Sequence, residues 1–508
     1  MEADCSLMIH RLTLESIVKN FGNFRANDDV SLQVKTGSVH AILGENGAGK
    51  STLMNIIYGL YQPDSGKIFS RGEEVSISSP RRALDLGIGM VHQHFKQVEN
   101  MTVVENLILG LKGQWMMKLN HHRQAVKQMA DDLGFSIEPE QQVWRLPVGM
   151  QQRVEILKLL YRNADLLILD EPTSVLTPNE IGPFFKLLRR LREMGSTIIL
   201  ITHKLNEVMD ISDRATVMRS GRVVANVDTA QTTQRELATL MVGREVVFNV
   251  ARRESKPGKP VLEVNDLTVL DDRRLEAVSG LSMTVREGEI LGVAGVDGNG
   301  QAELAEAITG LRSAASGRIN VSGMDVTGIS VARRKRDLKV GFVPEDRHRV
   351  GLDLDATLSI NSVLRSFKER PFSRRGWLDF QVIDKHAEEL VSRYDVRMRG
   401  VHQKARDLSG GNQQKIVVGR EIEGGPKLLV VSQATKGLDV GAIEFVQKTL
   451  LAQRDRGTAI LYISTELEEL LNICDRVAVI FKGRIAGEMN VSEATSERIG
   501  LLMTGGRT

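Results

Sequence analysis

The stretch GENGAGKST, residues 44–52, matches the pattern G-x-x-x-x-G-K-[ST] at every fixed position. It follows the apolar run SVHAIL (38–43) and precedes a run with helical periodicity, so a strand and a helix are expected on its two sides. Glycines in such a turn let backbone N–H groups converge on phosphate oxygens, and the N-terminus of the following helix adds partial positive charge. The stretch therefore predicts a phosphate-binding loop, and a glycine turn without a ligand is the weaker interpretation.

The side chains of this loop indicate what it would hold. Lys50 can reach the β and γ phosphates of a nucleotide through charge-assisted hydrogen bonds. The Ser51 hydroxyl suits Mg²⁺, a hard ion that prefers oxygen ligands. The residues expected to bind the nucleotide are Gly44, Glu45, Asn46, Gly47, Ala48, Gly49, Lys50, Ser51 and Thr52.

Two acids and a histidine follow predicted strands further along the chain. LLILDEP (166–172) predicts a strand that ends in Asp170, placed to hold the Mg²⁺ shell, and Glu171, which can polarise the attacking water as general base. His203 follows the strand TIILI (197–201) and is expected to contact the γ phosphate. Two acids could instead cap a helix and a lone histidine is often incidental, but the intact loop favours the catalytic interpretation.

The chain repeats itself with a period of about 250 residues. Aligned positions and their offsets are Gly44 with Gly295 (251), Gln93 with Glu345 (252), Leu146 with Leu408 (262) and Asp213 with Asp475 (262). The offset is nearly constant, increases once and is then constant again. This behaviour indicates a duplicated domain with one insertion in the middle of the second copy.

Each copy alternates apolar strand runs with helical stretches and glycine-rich turns, which predicts an α/β fold with a largely parallel sheet. The polar stretch ARRESKPGKP carries two prolines and a glycine and predicts a linker. The predicted organisation is therefore domain 1 at 1–250, a linker at 251–260 and domain 2 at 261–508.

Composition limits the class of protein further. The 508 residues are too many for one core, and a net charge of +3 implies no strong attraction to nucleic acid or membranes. The two cysteines, Cys5 and Cys474, can form neither a disulfide framework nor a metal cluster, which fits a reducing compartment. The start of the chain does not read as a signal peptide, and about 18 apolar residues never run together, so work at a membrane is expected to depend on partners.

The order of these motifs resembles the ATPase domain of ABC transporters: a phosphate loop, Gln93, an LSGG-type motif, LDEP and a strand ending in His203. The resemblance covers nearly the whole chain twice and implies two tandem ABC ATPase (P-loop NTPase) domains, each with a helical subdomain beside its sheet. The chain is similar to the tandem ATPase subunits of bacterial importers for ribose, galactose and nucleosides. HQHF (92–95), VGMQQRVEILK (148–158) and DEPTSVLTP (170–178) favour nucleosides over ribose- or galactose-type sugars.

The resemblance also implies roles for further residues. ATP in that family is held between the phosphate loop of one lobe and the LSGG motif of the other, so the two lobes are expected to pair within this chain. Phe21 would stack on adenine, although a core aromatic is an equally good interpretation, and Gln93 would bind Mg²⁺ and sense a permease. Residues of LSGGNQQK (408–415) would complete the intact loop: Ser409, Gly410, Gly411 and Asn412.

The other pairing of motifs is degenerate on both of its sides. The second loop, GVDGNGQAEL (295–304), has Gln301 and Ala302 where the first has lysine and serine. Ser432 and Gln433 replace the two acids, Thr465 replaces the histidine, and the signature that would face this loop reads LPVGMQQR (146–153), with Pro147 and Val148 in place of serine and glycine. The losses spare the first site, so we expect one hydrolytic site and one that has lost catalysis.

The resemblance implies a peripheral subunit on the cytoplasmic face of the cell (inner) membrane. It would bind two integral-membrane permeases, which receive solute from an extracytoplasmic substrate-binding lipoprotein, and no nucleic acid. The alternative, a soluble tandem ATPase of translation or repair, is disfavoured by the short linker, the degenerate site and the lack of a sustained heptad run. A kinase or GTPase with an unrelated phosphate loop would not carry the duplicated signature motif.

Overall fold

The computed structural model divides the chain into two compact units, Met1–Val246 (unit 1) and Val247–Thr508 (unit 2). The structure describes residues 10–92, 96–111, 119–174, 176, 178–245, 255–503 and 505–506. Residues 251–254 of the predicted linker lie outside these ranges, so the domain bounds at 250 and 260 stay predictions.

Unit 1 is an α/β domain with two sheets. Its strands are β1 (His10–Phe21), β2 (Phe24–Lys35), β3 (Val39–Gly44), β4 (Ser65–Ser70), β5 (Glu73–Glu74), β6 (Ile88–Val91), β7 (Leu166–Asp170), β8 (Thr197–Ile201), β9 (Arg214–Arg219) and β10 (Arg222–Asp228). Its helices are α1 (Lys50–Ile57), α2 (Pro80–Asp85), α3 (Val103–Ile108), α4 (Leu119–Asp132), α5 (Val148–Tyr161), α6 (Pro178–Glu193), α7 (Leu205–Ile211) and α8 (Gln234–Val242).

The larger sheet of unit 1 is largely parallel, as predicted. Its strand order is β10-β9-β3-β8-β7-β6, and only the β10–β9 pair is antiparallel. Because β3, β7 and β8 are parallel, their carboxyl ends lie at one edge of the sheet, where ligands of such folds bind. A second, antiparallel sheet of order β2-β1-β4-β5 was not anticipated from the sequence.

The parallel sheet of unit 1 is the middle layer of the domain. Along β7, Leu166 and Ile168 pack into a cluster with the antiparallel sheet and α1. Leu167 and Leu169 point the other way, into a cluster formed with α3, α4, α5 and α6. Side chains alternate across a strand, so a continuous apolar run is what a strand covered on both faces requires.

Unit 2 repeats this architecture. Its strands are β11 (Pro260–Leu270), β12 (Glu276–Arg286), β13 (Ile290–Ala294), β14 (Ser316–Val321), β15 (Met324–Asp325), β16 (Val340–Val343), β17 (Ser373–Arg374), β18 (Trp377–Leu378), β19 (Leu428–Ser432), β20 (Ala459–Ser464), β21 (Arg476–Phe481) and β22 (Arg484–Asn490). Its helices are α9 (Gln301–Thr309), α10 (Val331–Asp337), α11 (Leu358–Val363), α12 (Phe380–Arg393), α13 (Gly410–Glu423), α14 (Val440–Arg454), α15 (Leu467–Ile473) and α16 (Ser496–Met503).

The sheets of unit 2 have the orders β16-β19-β20-β13-β21-β22 and β12-β11-β14-β15, which match those of unit 1 strand for strand. The small hairpin β17–β18 lies between α11 and α12, in the part of the second copy where the repeat offset increases. The predicted fold class, two α/β domains with helical additions, is confirmed. Within the described ranges, no helix is both long and apolar enough to cross a lipid bilayer.

Candidate active site

The glycine loop of unit 1 joins β3 to α1, and close contacts dictate its glycines. A Cβ on Gly44 would lie 2.4 Å from the carbonyl oxygen of Met218, and one on Gly49 would lie 2.4 Å from that of Ala26. Gly49 also has φ of +97°, in the left-handed region that favours glycine. The N-cap of α1 forms no side-chain hydrogen bond to the first turn, and N–H groups at the start of a helix favour an anion.

Lys50 is held over this loop by main-chain oxygens. Its side chain is buried, and Nζ donates to the carbonyl oxygens of Gly44 at 2.7 Å and Glu45 at 3.0 Å. The ammonium group thus lies among the N–H groups that an anion would approach. A fixed cation beside N–H donors is the arrangement that a bound polyphosphate requires.

Asp170 ends β7 at the same edge of the sheet, in surroundings that disfavour its charge. Burial and the neighbouring carboxylate of Glu171 raise the pKa of Asp170 to about 6, although Lys50 opposes this increase. Two adjacent carboxylates at a buried strand end are stabilised by a cation, and oxygen donors are what Mg²⁺ prefers. The donor set of Asp170 with the hydroxyl of Ser51, next to Lys50 in the loop, therefore fits a magnesium ion.

Glu171 and His203 are brought together from the ends of β7 and β8. Nδ1 of His203 lies 3.0 Å from Oε1 of Glu171, and both side chains are about one-fifth exposed. The hydrogen bond from His203 lowers the pKa of Glu171, and burial opposes this effect only in part. A carboxylate kept ionised, oriented by an imidazole and open to solvent has the properties of a general base.

A buried polar cluster beneath this pair was not anticipated from the sequence. The carboxylate of Glu207 accepts hydrogen bonds from the hydroxyls of Thr173 and Thr202, which flank the two catalytic candidates in the chain. Burial raises the pKa of Glu207, and these hydrogen bonds counter the increase. Glu207 lies on the amphipathic stretch after His203. Its position four residues after the histidine is the one feature of the sequence that could have predicted a role near the site.

Phe21 and Gln93, two of the candidates that rest on the family resemblance, differ in what the structure describes. Phe21 ends β1; the residue is 43% exposed, and its ring is edge-on to that of Tyr61 at a centroid distance of 5.3 Å. Phe21 is therefore not a core aromatic, and Nζ of Lys19 lies over its ring, 5.8 Å from the centroid. Gln93 lies outside the described residues.

The corresponding loop of unit 2 is filled by one of its own side chains. Gln301, at the position of Lys50, is buried; its Nε2 donates to the carbonyl oxygen of Val296 at 3.0 Å, and its Oε1 accepts from the N–H of Asn299 at 3.1 Å. The amide thus uses a loop N–H that an anion would otherwise bind. The neutral amide of Gln301 does not offer the positive charge that Lys50 brings to unit 1.

A lysine side chain also lies among the loops of unit 2. Nζ of Lys436 is 2.7 Å from Oε1 of Glu345, which aligns with Gln93, and 3.4 Å from Oδ2 of Asp297 in the glycine loop. Burial lowers the pKa of Lys436, but the two carboxylates outweigh it and raise the pKa overall. The protein itself therefore supplies the cation that balances these acids.

The intact signature motif of unit 2 opens a helix. Ser409 precedes α13 in an extended conformation, without a side-chain cap on the first N–H groups of that helix. Nδ2 of Asn412 donates to Oγ of Ser409 at 2.9 Å, which fixes the serine hydroxyl. The matching position in unit 1 is Pro147, which has no N–H group and precedes α5.

A loop with its lysine, an acid pair and a histidine at one edge of a parallel sheet define an ATPase with a phosphate loop. The family profile described as ABC transporter matches residues 27–174 and 278–436. Since these segments make up more than half of the sequence, the chain belongs to the ABC transporter family. The family, fold and ATPase activity expected from the sequence are thus confirmed.

Relatives match over nearly the full length. The guanosine import ATP-binding protein NupO of Bacillus subtilis is 50% identical over 98% of this chain and 98% of its own. The nucleoside import ATP-binding protein NupA of Lactococcus lactis is 48% identical over 96% of this chain and 97% of its own. The glucose import ATP-binding protein TsgD13 of Haloferax volcanii is 45% identical over 97% of this chain and 96% of its own. ATP-binding subunits of importers are therefore similar to both units together.

Proposed function

We propose that the chain hydrolyses ATP at unit 1 to drive the import of nucleosides. The observation that carries the ATPase half is the assembly of Lys50, Glu171 and His203 at one sheet edge. The solute half is supported by two relatives, named for guanosine and nucleoside import, that are 50% and 48% identical over nearly the whole chain.

The residues of unit 1 support a mechanism of positioning and proton transfer. Lys50 and the N–H groups at the start of α1 bind the phosphate oxygens and balance their charge. Oε of Glu171 takes a proton from the attacking water, and His203 holds that carboxylate in place. Mg²⁺, held by Ser51, Asp170 and Gln93, would neutralise the charge that develops on the phosphates.

The family resemblance would also give the signature motif of unit 2 a part in ATP hydrolysis. Ser409, Gly410, Gly411 and Asn412 would bind the γ phosphate through the serine hydroxyl and the N–H groups that open α13. Phe21, an exposed aromatic residue, would stack on the adenine ring. Unit 2 would support no hydrolysis at its own loop, because Gln301 fills that loop and Gln433 replaces the acid that would act as base.

The chain would work as a peripheral subunit at the cytoplasmic face of the membrane. Two permease subunits would bind it, and an outer substrate-binding protein would deliver the solute to them. The import role in the names of the relatives supports this arrangement.

Import of simple sugars is the second candidate. A relative named for glucose import is 45% identical, and one named for ribose import in Bacillus licheniformis is 38% identical over 98% of this chain. The higher identity of the nucleoside relatives favours nucleosides. Uptake of labelled guanosine, ribose and glucose is to be compared in cells carrying the complete transporter with the wild-type chain or Lys50→Ala. Guanosine uptake lost in Lys50→Ala supports the proposal, and loss of sugar uptake alone contradicts it.

A further inference from the structure

A buried carboxylate joins the two turns that carry the catalytic pair of unit 1. Thr173, two residues after Glu171, donates its hydroxyl hydrogen to Oε1 of Glu207. Thr202, directly before His203, donates to Oε2 of Glu207 at 2.9 Å. Each oxygen of one carboxylate therefore binds one of the two turns, and water is nearly excluded because all three side chains are at most 4% exposed.

The turn of His203 is fixed by the same cluster. Oγ1 of Thr202 accepts the N–H of Lys204 at 3.0 Å while its hydroxyl hydrogen is given to Glu207. Glu207 itself lies in the first turn of α7, which packs into the domain through Leu205 and Val208. The histidine is thus held between a strand end and a helix start that share one hydrogen-bonded group.

The turn of Glu171 needs such support because its backbone is strained. Glu171 has φ of +46°, a left-handed conformation that a residue with a side chain keeps only when its surroundings fix it. Its N–H donates to the carbonyl oxygen of Ile201 at 2.9 Å, and its own carbonyl oxygen accepts from Oγ of Ser174 at 2.8 Å. The bond from Thr173 to Glu207 is a further tether, and the only one of the three that leads to α7.

Unit 2 contains a corresponding cluster without the catalytic pair, in which all the hydroxyls donate to one carboxylate oxygen, Oε2 of Glu469. The carboxylate of Glu469, 262 residues after Glu207, accepts from Thr435 at 2.6 Å and from Ser464 at 3.1 Å. Tyr462 adds a third donor at 2.7 Å. Gln433 and Thr465 stand here at the positions of Glu171 and His203. The cluster of unit 2 can therefore stabilise the fold but has no catalytic pair to position.

We propose that Glu207 is a positioning residue for ATP hydrolysis, which sets the carboxylate of Glu171 and the imidazole of His203 at their working separation. It does not touch the nucleotide; it acts through Thr173 and Thr202. The inference rests on the proposed function, which assigns Glu171 and His203 their roles.

The two copies of the cluster provide a matched test. In the full-length chain Glu207→Leu removes a buried acceptor from two hydroxyls and Glu469→Leu from three, so Glu469→Leu should lower the melting temperature at least as much as Glu207→Leu. Glu207→Leu should lower kcat at least tenfold and change the Kd for Mg-ATP less than threefold, because displacement of a catalytic group affects turnover rather than binding. Glu469→Leu should keep kcat within twofold of wild type.

Milder variants cover the case in which the leucine substitutions prevent folding. Thr173→Val and its counterpart Thr435→Val each remove one hydroxyl, and only the former should lower kcat. Glu207→Gln keeps an acceptor and should recover at least a third of wild-type turnover. Equal losses of kcat in the two members of either pair, or full turnover in Glu207→Leu, would overturn the positioning role. Turnover retained by Glu171→Gln would instead contradict the proposed function, which keeps the two failures distinct.

Discussion

Glu171 of unit 1 and Gln433 of unit 2 have the same left-handed backbone conformation, with φ of +46° and +48°. The N–H of Glu171 donates to Ile201 at 2.9 Å, and that of Gln433 donates to Ile463 at 2.8 Å. The two turns thus have the same backbone geometry and differ in the side chain, which is a carboxylate in unit 1 and an amide in unit 2. The proposed loss of catalysis in unit 2 would therefore come from the side chain, because the backbone conformation is the same in both units.

Replacing the carboxylate of unit 1 by an amide should reproduce the state of unit 2. Glu171→Gln is expected to bind Mg-ATP with a Kd within about threefold of wild type while hydrolysis decreases by roughly 10²- to 10⁴-fold, the usual cost of losing a general base. Steady-state phosphate release and nucleotide titration measure the two quantities. Gln433→Ala is the matched control and should leave hydrolysis unchanged. A Glu171→Gln rate above one-tenth of wild type would contradict the assignment of the base.

ATP binding and hydrolysis should depend on Lys50 in the loop of unit 1 but not on Gln301, its counterpart in unit 2. Lys50→Ala removes a charge-assisted bond to phosphate worth roughly 1.5–3 kcal/mol, so the Kd for Mg-ATP should increase about 10- to 150-fold and hydrolysis should cease. Gln301→Ala removes an amide that bonds Val296 and Asn299 within its own loop. It should lower the melting temperature without a change in ATP hydrolysis. Comparable losses of hydrolysis in both variants would contradict the proposal that the glycine loop of unit 2 supports no hydrolysis.

If the loop of unit 1 is paired with the signature motif of unit 2, as proposed, substitutions in the two signature motifs should differ in their effect on ATP hydrolysis. Ser409→Arg would place a bulky cation where the γ phosphate is expected, so hydrolysis should collapse although Lys50 and Glu171 are untouched. Pro147→Arg alters the signature that faces the filled loop and should reduce hydrolysis little. ATPase rates measure both effects, with circular dichroism as the control for folding. Activity lost in Pro147→Arg and kept in Ser409→Arg would mean that each unit assembles its own site.

The parts of the site that lie next to each other in sequence were predictable, because a motif and its flanking strand fix their own geometry. The loop around Lys50 and the acids that end β7 belong to this group. The cluster of Thr173, Thr202 and Glu207 was not predictable, since its members come from three chain segments that meet only in the folded domain. The same limit applies to Gln301. The sequence shows that a neutral residue stands where the first loop has Lys50, but it does not show the two hydrogen bonds that Gln301 makes within its loop.

A buried ion cluster distinguishes the helical part of unit 2 from that of unit 1. Oε2 of Glu421 on α13 lies 2.6 Å from Nη1 of Arg365 and accepts the N–H of Phe342 at 3.1 Å, and both charged side chains are at most 7% exposed. Unit 1 has Leu159 at the aligned position, inside its apolar cluster. Burial would raise the pKa of Glu421, but three surrounding cations, Arg420, Lys335 and Arg365, outweigh burial and lower it.

Removing the carboxylate should therefore destabilise unit 2 strongly. Glu421→Gln leaves buried cations without their counter-ion, so a loss of about 3 kcal/mol in the free energy of unfolding is expected. The control is Glu423→Gln on the same helix, whose partner Arg393 is exposed; it should cost less than about 1 kcal/mol. Because the folded pKa of Glu421 is lowered, its contribution is complete above the unfolded pKa of about 4.3 and is lost as the pH falls through the folded value. Calorimetry between pH 3 and 7 should show that the melting temperature of Glu421→Gln approaches that of Glu423→Gln, which keeps Glu421, as the pH falls. A difference that grows toward acid pH would mean that burial, not the cations, controls this carboxyl.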